Sequence, residues 1–258
     1  MSEQLSWPRL RALLRNESIG EYRIWLIASA VTVSAMLVGA MYAQPNRELD
    51  PPYYRVAYFV ALVILGTIQA SLAFTELHDK SQNTAFLLLP ASTLEKTLAP
   101  LLTTTILFIV YLLALTTAAS AAIEGLDWLL YRRTNELFDP FAREVWAGLP
   151  HYLVVQSWFF LGAAWFRKAH YLKTLFAIMV GGLVLAALAF LFAVVAGFVT
   201  ISSSGLHAQT NVDSWLFSYS DSKPLRVSLA TLWLVAQPLF CWWLAWLRIR
   251  ETQVSRGV

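Results

Sequence analysis

The sequence predicts an all-α integral membrane protein with six transmembrane helices, an N-terminal interfacial elbow helix and a short cytoplasmic helix between the second and third spans. Hydrophobic residues make up 58% of the 258 residues and charged residues only 14%, against roughly 25% charged in soluble domains. The mean hydropathy is +0.56. No internal repeat or low-complexity tract indicates a second domain, so residues 1–258 are interpreted as a single transmembrane domain.

Six apolar runs set the order of the spans. A hydrocarbon core of about 30 Å requires about 20 apolar residues in a helix. The runs that satisfy this length are residues 24–43, 56–74, 98–122, 145–166, 174–201 and 227–247. The fifth run is longer than a span requires, so it must tilt, project from the membrane or break near Gly197.

Basic residues predict which side of the membrane each segment occupies. An even number of spans puts both ends on one side, which carries 12 Lys and Arg residues, whereas the other side carries 7. The positive-inside rule therefore predicts that both termini, including the tail at 248–258, lie in the cytoplasm. The first apolar run begins only at Ile24 and exceeds a signal-peptide core, so we expect the N-terminal segment to be retained.

Residues 1–23 precede the first span and predict an elbow helix at the membrane interface. The leucines share one helical face and the arginines occupy others: Leu10, Leu13 and Leu14 against Arg9, Arg11 and Arg15. Pro8 is compatible with a first helical turn. The alternative is an unstructured basic anchor, because the amphipathic segment is short.

The cytoplasmic segment at residues 75–97 has an apolar cluster, Phe-Leu-Leu-Leu at 86–89, between charged residues. Exposed apolar clusters usually mark a contact with a partner or a membrane. Ser92 and Glu95 have the spacing of a capping box, which predicts that a helix begins at Ser92. Pro90 fits a break before that helix, and Pro100 could bend the entry into the third span. Alternatively, residues 86–89 lie on the lipid surface or fold back onto the chain's own helices.

Polar side chains within the spans are few. Ionised residues are nearly absent there, which argues against a proton- or ion-coupled carrier. The amides and hydroxyls that could line a substrate pathway are Gln69, Thr104, Gln156 and Gln237. The same side chains could instead join helices by hydrogen bonds, and this structural role is the favoured interpretation.

Patterns for catalysis and metal binding are weak. The chain has no G-x-x-x-x-G-K-[ST] phosphate loop. Its histidines lack metal-ligand spacing and divide between the two predicted sides: His78, His151, His170 and His207. Ser203, Ser204 and His207 could imitate the nucleophile and base of a membrane-embedded hydrolase, but no acid or oxyanion loop is evident. We expect no catalytic residue and no metal site, and the net charge of +3, divided by membrane side, gives no indication of nucleic-acid binding.

Three sequence elements carry a family resemblance: FTELHDK and NTAFLLLPASTLEK within residues 74–96, and FFLGAAWFRKAHYLKTLF at 159–176. Together with the elbow and the six-span layout, they resemble the permease subunits of type-2 ATP-binding-cassette (ABC) exporters, especially bacterial ones with an LLPAS-like sequence after the second span. The chain departs from many such permeases at residues 202–225, which are polar where the family often has apolar re-entrant helices.

The resemblance implies a homodimeric permease of the bacterial cytoplasmic (inner) membrane that binds a cytoplasmic ABC ATPase. ATP and Mg²⁺ would bind to that partner and not to this chain. Residues 75–97 would be the coupling helix segment, and the loop at 167–173 a secondary contact. The implied ATPase contacts are Glu76, His78, Asp79, Phe86, Leu87, Leu88, Leu89, Ser92, Glu95 and Lys96.

The uncharged spans suit an apolar or amphipathic substrate better than a metal ion. The alternative function is a non-transporting membrane scaffold or sensor that recruits a cytoplasmic partner through residues 75–97. The sequence does not assign a role to the predicted outer segments at 123–144 and 202–225. They could be surface-lying segments, ordered caps or plain connectors.

Overall fold

The computed structural model describes residues 6–20, 22–43, 52–78, 91–132, 137–203 and 223–255. Within these ranges all regular structure is helical, which confirms the all-α class. The helices are α1 Trp7–Gly20, α2 Tyr22–Ala43, α3 Pro52–Leu72, α4 Thr75–His78, α5 Thr93–Leu102, a π-helical turn Thr103–Leu107, α6 Phe108–Tyr131, α7 Arg143–Trp165, α8 His170–Ser203 and α9 Lys223–Ser255.

Five helical segments in the described ranges are long and apolar enough to cross a membrane. They are Tyr22–Met41, Tyr53–His78, Thr93–Leu130, His170–Val195 and Thr231–Thr252. These segments correspond to the first, second, third, fifth and sixth predicted spans, and they are compatible with a multi-pass membrane protein.

Helix α7 forms at the position of the predicted fourth span, yet it is not among the five. It contains Pro150 and buries the polar side chains Gln156 and Ser157. It also packs against α3, α8 and α9, so much of its surface contacts protein. Gln156 and Ser157 lower its hydropathy but lie on its buried side, whereas its exposed positions include Trp146 and Trp158.

The first helix, α1, forms where the elbow is predicted. Leu10 is buried, Leu13 and Leu14 are half-buried, and Arg11 and Arg15 are exposed. Trp7–Gly20 is therefore a helix with an apolar side buried against the chain, rather than an unstructured anchor. The position of α1 at a membrane interface stays a prediction.

The fifth predicted span is one unbroken helix, α8, of 34 residues. At about 1.5 Å per residue its length exceeds a hydrocarbon core of about 30 Å, and Gly197 does not interrupt it. A break near Gly197 is therefore wrong, and tilt or projection accounts for the extra length. Within its most apolar stretch no residue is buried by the rest of the chain.

Two apolar clusters form the core. The first joins α2, α3, α6 and α7 around large buried side chains: Tyr54, Tyr58, Phe108, Leu112 and Tyr152. The second lies between the end of α3 with α4, the C-terminal half of α7, and α9, and it contains Phe74, Leu77, Phe159, Phe160 and Ile249. Helices α3 and α7 contribute to both clusters and so connect them.

Candidate functional site

The segment at 75–97, predicted to be cytoplasmic, begins with α4, a single turn that follows α3 almost directly. Leu77 is buried in the second core cluster, whereas Glu76 is exposed. The Nε2 atom of His78 lies 2.9 Å from the carbonyl oxygen of Ala163 on α7. Its ring stacks on that of His170, with centroids 5.2 Å apart. His78 therefore attaches the start of this segment to α7 and to the first residue of α8.

The other end of the segment is fixed by a complete capping box. The Glu95 N–H donates to the Ser92 hydroxyl at 3.2 Å, and the Ser92 N–H donates to Oε2 of Glu95 at 2.9 Å. Helix α5 begins at Thr93 with Ser92 as its N-cap, so the predicted capping box is confirmed.

Glu95 also holds α1, which sequence reasoning missed. Its Oε1 atom accepts the backbone N–H of Ser6 at 2.7 Å and lies 3.6 Å from Nε of Arg9. The Glu95 side chain is fully buried, and Lys96 beside it is only 3% exposed. In this structure Glu95 lies inside the contact between α1 and α5 and Lys96 is buried beside it, and their role in partner binding stays a prediction.

The centre of the predicted partner contact lies outside the described residues. This applies to Asp79 and to the apolar cluster Phe86, Leu87, Leu88 and Leu89. Of the predicted contacts that are described, Glu76 is exposed, and His78 and Ser92 are half-buried. The structure therefore describes the two ends of the segment, which His78 attaches to α7 and Glu95 attaches to α1.

The predicted pathway residues lie in the interior of the bundle. The Gln156 amide on α7 donates to the Thr104 hydroxyl in the π-helical turn at 3.1 Å, and the Trp242 indole donates to Gln156 at 3.4 Å. At the next residue, the Ser157 hydroxyl donates to Oε1 of Gln237 on α9 at 3.3 Å. Polar pairs of this kind join helices where water is excluded.

The exposure of these side chains agrees with an interhelical role. Gln69, Thr104 and Gln156 are 0% exposed and Gln237 is 6% exposed. The favoured structural interpretation is therefore supported for Thr104, Gln156 and Gln237. The pathway role of all four stays a prediction.

The π-helical turn adds a further link at the same level. The Phe108 N–H bonds to the carbonyl oxygens of Thr103 and Thr105. The Thr104 carbonyl, its α-helical partner, instead accepts the Tyr152 hydroxyl at 3.0 Å. Irregular backbone inside a membrane bundle is tolerated when such side chains satisfy it.

Sequence reasoning also missed Glu124, because it ended the third span at residue 122. Helix α6 continues to Tyr131, and Glu124 is buried with its Oε1 atom accepting the Tyr54 hydroxyl at 2.6 Å. A hydroxyl donor compensates part of the desolvation of the carboxyl group. The glutamate within an apolar run was the available signal.

The residues considered for metal binding and hydrolysis are only partly within the described ranges. Across the described ranges, no group of three or more His, Cys, Asp and Glu side chains is placed to hold a metal ion. Ser203 ends α8, and Ser204 and His207 lie outside the described residues, as does most of the predicted outer segment at 202–225.

Comparisons of the chain with protein-family models, with curated proteins and with solved structures found no match in any of the three. The resemblance to type-2 exporter permeases therefore rests on the motifs within residues 74–96 and 159–176 and on the helical layout.

Proposed function

We propose that the chain is the transmembrane permease subunit of an ABC-type exporter. In this proposal it has six spans, with α7 as the fourth, and both termini are in the bacterial cytoplasm. Two copies form the permease, and a separate ATPase hydrolyses ATP with Mg²⁺. The substrate is apolar or amphipathic.

The observation that carries the proposal is the anchoring of both ends of residues 75–97. At one end His78 contacts Ala163 and His170, and at the other Glu95 ties the start of α5 to α1. A segment that transmits motion from a partner needs rigid attachment to the helices it moves, because a slack attachment would absorb the displacement.

The attachment points differ in the helices they reach. A displacement of α4 reaches α7 and α8 through His78, and a displacement of α5 reaches α1 through Glu95. One partner that displaces the centre of the segment would therefore shift α7 and α8 at one end and α1 at the other. This arrangement supports a coupling role more specifically than a passive docking site.

The proposal is tested by affinity purification of the chain from its native membrane, with mass spectrometry of the proteins recovered. The test variant is Leu88→Asp, which places a charge in the apolar cluster. The control is Leu137→Asp, the same change at a side chain that is 60% exposed on the predicted outer side. Thermal unfolding of each purified variant checks that the fold is retained.

Recovery of an ATPase with a phosphate-binding loop in the wild type and in Leu137→Asp, and its loss in Leu88→Asp, is the expected result. Absence of an ATPase from every sample overturns the exporter assignment in favour of the scaffold or sensor. Recovery of an ATPase with Leu88→Asp at the wild-type level overturns the assignment of the contact.

A further inference from the structure

A groove of about 910 Å³ runs along α1 beside the π-helical turn. Most of its lining comes from successive turns of α1, and Leu107 closes it from the π-helical turn. The lining residues are Pro8, Arg11, Ala12, Leu14, Arg15, Asn16, Ser18, Ile19 and Leu107. Its volume lies within the range of small-molecule sites, roughly 300–1,000 Å³.

The charges of this groove have one sign. Arg11 and Arg15 stand one helical turn apart, and both are exposed. No carboxylate is among the lining residues. Arg9 does not line the groove, and its guanidinium lies near Glu95. Two exposed guanidinium groups with a spacing of i and i+4 can bind one phosphodiester between them, because each offers a planar set of donors.

The rest of the lining is apolar. Leu14, Ile19 and Leu107 line the groove, and Ile19 is 60% exposed while Leu107 is 37% exposed. Leu107 lies within the predicted third span, and α1 ends two residues before the candidate span that begins at Tyr22. The groove therefore joins a cationic region to apolar side chains of the membrane-spanning part.

We propose that this groove binds an anionic phospholipid, with its phosphate between Arg11 and Arg15 and an acyl chain against Leu14, Ile19 and Leu107. A free phosphate ion would use the arginines but leave the apolar side chains exposed to water. A zwitterionic lipid would bring a cation to a site that already holds two. The combination of charge and apolar surface fits a lipid with a net negative headgroup.

The inference does not depend on the proposed transport function, and lipid binding to the purified chain tests it. Native mass spectrometry in detergent would measure retention of added phosphatidylglycerol and of phosphatidylcholine with identical acyl chains. The test variant is Arg11→Gln with Arg15→Gln. The control is Arg167→Gln with Lys168→Gln, which removes the same charge from exposed residues on the same predicted side.

The wild type and the control are expected to prefer phosphatidylglycerol. The double variant at Arg11 and Arg15 is expected to bind it about tenfold or more weakly, because each basic residue near an anionic surface contributes appreciably. Both variants are expected to unfold at the wild-type temperature, since the altered side chains are exposed.

Equal retention of the two lipids by the wild type, or unchanged retention of phosphatidylglycerol by the double variant, overturns the inference. An equal loss in the control also overturns it, because the effect would then follow net charge. A last measurement adds soluble glycerol 3-phosphate as a competitor. If it displaces phosphatidylglycerol at a concentration similar to that of the lipid, the groove is a site for free phosphate and the inference is overturned.

Discussion

Removal of the Glu95 carboxylate is expected to detach α1 from α5. In Glu95→Ala the Ser6 N–H loses an acceptor at 2.7 Å, and Arg9 loses an anion at 3.6 Å. A hydrogen bond to a charged group contributes about 1.5–3 kcal/mol, and the half-exposed Arg9 pair contributes less than about 1 kcal/mol. Docking of α1 is therefore weakened by about 2–3 kcal/mol.

Hydrogen exchange of the α1 amides measures this change directly. A loss of about 2–3 kcal/mol corresponds to about 30-fold to 150-fold faster exchange for amides that open when α1 detaches. The amides of α7 serve as an internal reference, because Glu95 does not contact that helix in the hydrogen bonds described. The variant Arg9→Gln is the matched control, and it should accelerate α1 exchange by less than about fivefold.

Wild-type exchange rates throughout α1 in Glu95→Ala would refute the reasoning, since the buried carboxylate would then contribute nothing to docking. Equal acceleration in Glu95→Ala and Arg9→Gln would also refute it, because the effect would then come from the ion pair alone. The α1 amides are expected to exchange fastest in Glu95→Ala, much more slowly in Arg9→Gln, and slowest in the wild type.

Two further substitutions test the interior of the bundle. A methyl group at Gly66 would collide with the hydroxyl of buried Tyr152, so Gly66→Ala should destabilise the fold by about 1–3 kcal/mol in thermal or chemical unfolding. The control is Gly181→Ala, whose methyl group would meet no atom within 4 Å and should not destabilise the fold. Equal effects of the two substitutions would contradict this packing. Gln156→Leu removes the bond to Thr104 and should cost about 0.5–1.5 kcal/mol. If the variant stays folded but its rate of substrate transport falls strongly, that result would favour a pathway role for Gln156 over a purely structural one.

Local sequence patterns predicted much of the helical structure. The capping box at Ser92 depends on residues three apart, and the amphipathic α1 depends on a helical repeat, so both are visible in the chain order. The bond from Glu95 to Ser6 joins residues 89 positions apart. No local pattern encodes such a pair, and therefore the sequence assigned Glu95 only to its own helix and to a partner.

The limits of the spans were harder to predict, because hydropathy assumes that each helix contacts lipid. Glu124 appeared to end the third span, yet the Tyr54 hydroxyl satisfies its carboxyl oxygen inside the bundle. Helix α7 shows a second difference: polar residues such as Gln156 lower its hydropathy, yet they are buried against neighbouring helices. Both differences arise from contacts between helices that a single run of residues does not contain.

The π-helical turn Thr103–Leu107 changes how this chain must be aligned with others. A turn closed by i→i+5 bonds holds one residue more than an α-helical turn, and one residue corresponds to about 100° of rotation. A helical wheel drawn straight through residues 93–131 would therefore assign the faces of α6 incorrectly relative to α5. A related chain that lacks one residue here and forms a regular α-helix would therefore keep the same sides of α5 and α6 toward their neighbours, and an alignment with it needs a one-residue gap within Thr103–Leu107.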